Sequence, residues 1–177
     1  GLFRDRAQYS VSSVLCEGIK VFDGNRILQN LLKENTLEFD PEYNELTEFS
    51  CMIQCNTPLR FKSAGKYQSD FNASSFLDAC SRRVSTLFYL YSDSELLSFP
   101  NILPANKDCF ITEKNTKWVN YKHWSGRQRA LMELGGVVGE FKLEGIANRN
   151  MLQMLEACFL VACEKSTSFG FGDIRKK

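Results

Sequence analysis

The amino-acid sequence predicts an α+β fold with the element order βαββαβ, a four-stranded antiparallel sheet with two helices on one face. Three observations carry this. TEFSCMIQCNTPLRF (47–61) sets Phe49, Cys51, Ile53 and Cys55 on one face at period two, the mark of a half-buried strand. NASSFLDACSRRVSTLFYLYSD (72–93) repeats Phe76, Leu77, Cys80, Val84, Leu87, Phe88 and Tyr91 at helical spacing. NRNMLQMLEACFLVACEK (148–165) reads as a mostly buried second helix that feeds a glycine-containing end. This is the ferredoxin-like order, and the free face of such a sheet is a frequent RNA platform. The fold alone does not give the function, because it hosts many.

In chain order, AQYSVSSVLCEGIKVFDG (7–24) reads as one or two short strands closed by the turn dipeptide Asp23-Gly24. NRILQNLLKEN follows as a short helix, then polar, acidic sequence runs to about Thr47. In the strand after it, Pro58 marks an end or an edge position. KSAGKYQSD is a polar loop, and Asn72, Ser74 and Ser75 offer N-caps to the first helix. PNILPANKD is a proline-bounded loop. CFITEKNTKWVNYKHW (109–124) and ALMELGGVVGEFKLEG (130–145) have strand composition. SFGFGDI supplies the last strand, with Phe169 and Phe171 on one face. Two domains are expected: residues 1–46 as the end of a first ferredoxin-like unit plus linker, and 47–177 as a second, RNA-binding one.

Composition narrows the function classes. With 177 residues, 44% hydrophobic and 24% charged, the chain can bury a core without staples. It has no apolar run of membrane-spanning length and no recognisable signal peptide. Seven cysteines, at 16, 51, 55, 80, 109, 158 and 163, form no C-x-x-C pair, so neither a disulfide framework nor a zinc site is signalled, and a reducing, cytoplasmic compartment is expected. No metal or organic cofactor is expected, because Walker, zincin, G-x-S-x-G and paired-carboxylate motifs are lacking. Net charge is only +1, but cations cluster late: Lys122, Arg127 and Arg129, then Lys165, Arg175, Lys176 and Lys177.

Three stretches hold the candidate site. In KSTSFGFGD, Lys165, the hydroxyls of Ser166, Thr167 and Ser168, and the backbone freed by Gly170 and Gly172 suit a phosphate cradle; an ordinary tight connection is the alternative. In NYKHWSGRQRA, His123, Trp124, Arg127, Gln128 and Arg129 interleave cations with an aromatic, which suits phosphate pairing and base stacking; a solvated hairpin arm is the alternative. His123 is the one histidine, either a general acid/base or a surface residue. In NTPLRFKSAGK, Arg60 and Lys62 sit at a strand end, as phosphate contacts or as plain loop charges.

These residues resemble a family. Ser125-Gly126-Arg127-Gln128, then Gly135-Gly136-Val137-Val138-Gly139-Glu140, a helix, and Lys165-Ser166-Thr167-Ser168-Phe169-Gly170-Phe171-Gly172 resemble the C-terminal half of CRISPR repeat-processing endoribonucleases of the repeat-associated mysterious protein (RAMP) superfamily. NTPLRFKSAGK and the paired arginines Arg82 and Arg83 also resemble that family, and GLFRDRAQYSV resembles the glycine-rich end of its first domain. Cys163-Glu164 departs from it where a glycine usually precedes the lysine, as does Phe3 in the first-domain loop. The resemblance implies two ferredoxin-like domains, of which this chain is expected to begin near the end of the first. It implies binding of CRISPR repeat RNA and precursor CRISPR RNA. It also implies metal-independent cleavage, in which a 2′-hydroxyl attacks the adjacent phosphorus to leave a 2′,3′-cyclic phosphate and a 5′-hydroxyl. His123 and Lys165 are the implied catalytic candidates, with Arg127 and Arg129 beside them for phosphate grip, unless the acid/base lies in the first domain. Other CRISPR-associated proteins and a second copy of the chain are further candidate partners. A non-catalytic RAMP subunit that grips CRISPR RNA in an effector complex is the alternative reading, and a ferredoxin-like protein- or ligand-binding module ranks below it.

Overall fold

The computed structural model describes residues 12–16, 19–26, 28, 45–63, 65–91, 108–126, 129–163 and 166–177. The chain divides into two units, Gly1–Leu37 and Glu38–Lys177. In the first, β1 (Val14–Cys16) pairs antiparallel with β2 (Ile19–Phe22). The Asp23 carboxylate accepts the N–H groups of Asn25 and Arg26, which hold it below the usual carboxylate range, and so closes the expected Asp-Gly turn. The helix expected over NRILQNLLKEN and the loop PNILPANKD fall almost wholly outside the described residues.

In the second unit, period-two alternation becomes β3 (Leu46–Leu59), with Ile53 and Cys55 buried while Gln54 and Asn56 are exposed. The helical repeat becomes α1 (Ala73–Tyr91), whose Asn72 side chain accepts the N–H of Ser75. The two long strands are β6 (Cys109–Ser125) and β7 (Ala130–Asn148), and the second helix is α2 (Arg149–Val161), capped by the Asn148 side chain on the N–H of Met151. With β8 (Ile174–Lys176), the sheet order is β6-β7-β3-β8, antiparallel throughout, which is the ferredoxin-like order. Phe76, Phe141, Ile53, Leu59, Leu77, Met151 and Met154 fill the space between sheet and helices, and the Phe141 ring meets the edges of Phe71 and Phe76 at 5.1 Å each.

Three boundaries differ from expectation. KSAGKYQSD, with Phe61 just before it, forms a small hairpin, β4 (Phe61–Ser63) with β5 (Lys66–Gln68). The last strand starts at Ile174, because residues 167–169 close a 3-10 turn, so Phe169 and Phe171 do not share a strand face. Helix α2 stops at Val161, which leaves Cys163 outside it.

The open face also differs from an aromatic RNA platform. It carries Lys142 bridged to Glu144 (2.9 Å) and Glu113 (3.3 Å), Lys177 bridged to Glu140 (2.7 Å), and hydroxyls of Thr112 and Ser50 donating to Glu144. Before the bulge in β6, strand alternation adds one aromatic residue to it, Phe110, opposite Glu144. Compensated charge therefore dominates this face around Glu144 and Glu140, and the face continues along β6 toward Tyr121 and His123.

Candidate nucleic-acid interface

Strands β6 and β7 pair well beyond the end of β3, whose last partner is Val137. The excess forms a two-stranded arm. Directly opposed residues of antiparallel strands share a face, so one face carries Tyr121 with Leu134 and His123 with Met132. The other carries Trp118 with Val137, Lys122 with Glu133 and Trp124 with Leu131. His123 and Trp124, contiguous in sequence, therefore face opposite ways. Both are exposed, Trp124 at 61%.

The face with His123 meets the end of β3. There Gly136 lies so close to the Pro58–Arg60 backbone that a Cβ would stand 2.6 Å from the Pro58 ring and 2.7 Å from the Leu59 carbonyl oxygen. Only glycine permits that approach. It lets Arg60 sink to 5% exposure. The Arg60 guanidinium lies 3.9 Å from the Tyr67 ring centre and 6.0 Å from that of Phe171, and its Nη1 donates to Ser166 Oγ at 2.9 Å. Among the described residues its buried Nε has no hydrogen-bond partner. Tyr121 closes the group, its ring 6.0 Å from Phe171. Lys62 is exposed, with Nζ 5.9 Å from the Tyr67 ring.

The glycine-rich turn is clamped at its base. Cys163 N–H donates to the Gly172 carbonyl (2.8 Å) and Gly172 N–H donates to the Pro58 carbonyl (3.1 Å). Gly172 has φ +84°, and a Cβ there would lie 1.9 Å from the Cys163 oxygen. This glycine is a packing requirement. Gly170, at φ +78° with no described residue within 4 Å of a Cβ placed there, is the exposed one. Ser166 also has positive φ, Thr167 is half-buried and Ser168 exposed.

Arg60, Ser166, Thr167, Ser168, Gly170 and Gly172 thus lie at one place, with Lys62 beside them and His123 on the adjoining arm face. Arg129 is exposed at the arm's tip, with φ +49°. Arg127, Gln128 and Lys165 lie outside the described residues. Tyr67, Tyr121 and Phe171 were not among the sequence candidates. The alternation of Tyr121 with His123 along one strand was the available signal.

The fold and this cluster define a ferredoxin-like domain with a buried arginine and a clamped glycine-rich turn at the root of a long hairpin arm. Residues 53–174, more than half of the chain, match the family model of the CRISPR-associated endoribonuclease Cas6, and the chain belongs to that family. Among solved structures it is similar to Thermus thermophilus Cas6, at 13% identity and a TM-score of 0.55 over 77% of this chain and 56% of that one. A Cas6 product complex matches at 14% identity and a TM-score of 0.53, over 77% and 54% of the respective chains. At these identities the likeness is one of fold, and the chain spans about half the length of those proteins. No curated protein matches significantly. Among the described residues, no helix is long and apolar enough to cross a membrane.

Proposed function

We infer that this chain forms the repeat-gripping half of an endoribonuclease that binds CRISPR repeat RNA and cuts precursor CRISPR RNA. In this reading residues 47–177 are the RNA-binding domain, and residues 1–46 are the end of a preceding ferredoxin-like domain with its linker. Family membership supports the general activity. The observation that carries the site is the shared surface of His123, Tyr121, Phe171, Arg60 and the 166–172 turn. Arg60 supplies charge from a desolvated position, where a guanidinium is worth more to a phosphate than in water. The turn offers the Ser166, Thr167 and Ser168 hydroxyls and backbone N–H groups to neighbouring phosphates. Lys62 and Arg129 extend the cationic track, Arg127, Gln128 and Lys165 are further candidate RNA contacts, and Trp124 stacks a base on the far side of the arm.

The reaction is transfer of the scissile phosphoryl group from the 5′-oxygen to the neighbouring 2′-oxygen. A base takes the 2′-hydroxyl proton, the 2′-oxygen bonds to phosphorus, and the bond to the 5′-oxygen breaks as an acid protonates that oxygen. The products are a 2′,3′-cyclic phosphate and a 5′-hydroxyl. His123 is the candidate acid/base and Lys165 a candidate for the developing charge on the phosphoryl oxygens. The test incubates the full-length protein with repeat RNA in chelator, followed by end-group analysis. Cleavage with a cyclic phosphate is expected, and failure of both binding and cleavage rejects the reading. His123→Ala is expected to slow cleavage at least about a hundredfold, and a change within about threefold removes His123 from the chemistry.

A further inference from the structure

Three cysteines far apart in sequence converge in the core between the helices and the glycine-rich turn. Cys80 comes from the middle of α1, Cys158 from the last turn of α2, and Cys163 from the segment that clamps Gly172. Their three Sγ atoms lie within 4.8 Å of one another, with Cys80 and Cys163 at 3.5 Å, and all three residues are at 0% exposure. Cys109, by contrast, donates alone to the Ile146 carbonyl.

A lone buried cysteine behaves as a small hydrophobe, but three thiols in mutual contact are a donor set. Metal–sulfur bonds of about 2.3 Å in a trigonal plane put the sulfurs about 4 Å apart, inside the spread seen here. Among the described residues no fourth histidine, cysteine, aspartate or glutamate joins the group, and the site is closed to solvent. That disfavours four-coordinate zinc and oxygen-loving cations, and suits a soft monovalent ion that accepts three thiolates.

The surroundings supply compensating charge. Arg83, three residues after Cys80, donates Nη2 to the Val161 carbonyl at 3.2 Å, and its buried Nε has no partner among the described residues. We propose that Cys80, Cys158 and Cys163 form a structural trithiolate site for one monovalent copper ion, which ties α1 and α2 to the base of the glycine-rich turn. The ion takes no part in RNA cleavage, so the site is independent of the function proposed above.

The test titrates the reduced, full-length protein with Cu(I) against a chromophoric Cu(I) chelator, with Zn(II) in a parallel arm. One equivalent of Cu(I) is expected, with a sulfur-to-copper charge-transfer band and three sulfur neighbours by X-ray absorption. Cys158→Ser and Cys163→Ala should each weaken binding at least tenfold, and Cys109→Ser should not. Far-UV circular dichroism and a metal-free melting curve show that each variant is folded. If a variant does not fold, protection of the three thiols from alkylation in the wild type by one equivalent of Cu(I) replaces it. No Cu(I) binding, binding indifferent to Cys158 and Cys163, unprotected thiols, or a preference for Zn(II) overturns the proposal.

Discussion

Gly172 and Gly170 allow one prediction to be worked closely, because they share a backbone conformation and differ in surroundings. Both have positive φ, +84° and +78°. Alanine at either position bears the cost of the left-handed region, about 1–2 kcal/mol, offset by about 0.4–1 kcal/mol from the stiffer unfolded chain. At Gly170 no described residue lies within 4 Å of the added methyl, so the net cost stops near 1 kcal/mol. At Gly172 the new methyl falls 1.9 Å from the Cys163 carbonyl oxygen, which is backbone and cannot swing away. Relieving that overlap breaks the Cys163–Gly172 and Gly172–Pro58 hydrogen bonds, worth about 0.5–1.5 kcal/mol each. Gly172→Ala should therefore cost about 1–3 kcal/mol more than Gly170→Ala, and its Tm should lie roughly 3–10 °C lower. Urea melts of the two variants with a common m-value measure the difference. Equal stability within about 0.5 kcal/mol would refute the claim that Gly172 is a packing position.

Other outcomes follow from the same geometry. Phe141→Ala removes the ring that meets Phe71 and Phe76, and should cost about 3–5 kcal/mol in a denaturant melt. Arg60→Met keeps the volume but removes the charge. It should change stability by less than about 1.5 kcal/mol and flatten the salt dependence of repeat-RNA binding by about one counterion, read by filter binding across a salt series. The Glu144 carboxyl is held below its ordinary value of 4.5 by the Thr112 hydroxyl first and Lys142 next. Its contribution is present above that pH and is lost as pH falls through the lower folded value. Glu144→Gln should accordingly show a shallower loss of Tm than wild type as pH drops below about 4.5, checked by melting curves from neutral to acid pH.

Much of the fold could be read in advance, because its strongest signals are local. Ile53 and Cys55 alternate with exposed neighbours, and Asn72 caps α1, both readable within a few residues. The last strand was misjudged because Ser166 and Gly170 take positive φ around a 3-10 turn, which delays extended backbone until Ile174. The β4–β5 hairpin was hidden because three-residue strands depend on their turn at Gly65 more than on pattern. In the candidate site, residue types were legible and burial was not. Arg60 reads as a loop charge, and only Gly136, 76 residues away, shows that it lies under the arm. His123 and Trp124 read as one cluster until strand pairing separates them. The cysteine group depends wholly on contacts between distant elements, which C-x-x-C spacing cannot report.

The bulge in β6 sets the phase of the arm. Between Thr112 and Asn115 the strand takes one residue more than β7 does between Lys142 and Glu140, and Glu113 absorbs it at φ +47°. Before the bulge, even-numbered residues of β6 lie on the open face of the sheet; after it, odd-numbered ones do. Deleting one residue at Glu113–Lys114 would remove the bulge and leave Asn115 opposite Glu140, with Tyr121 and His123 still on the surface beside Arg60. Deleting one residue between Asn115 and Tyr121, where the strands pair one to one, would instead bring Lys122 and Trp124 to that surface. The identity of the surface that meets a ligand is thus encoded in the strand that leads to it, as a count rather than as a composition.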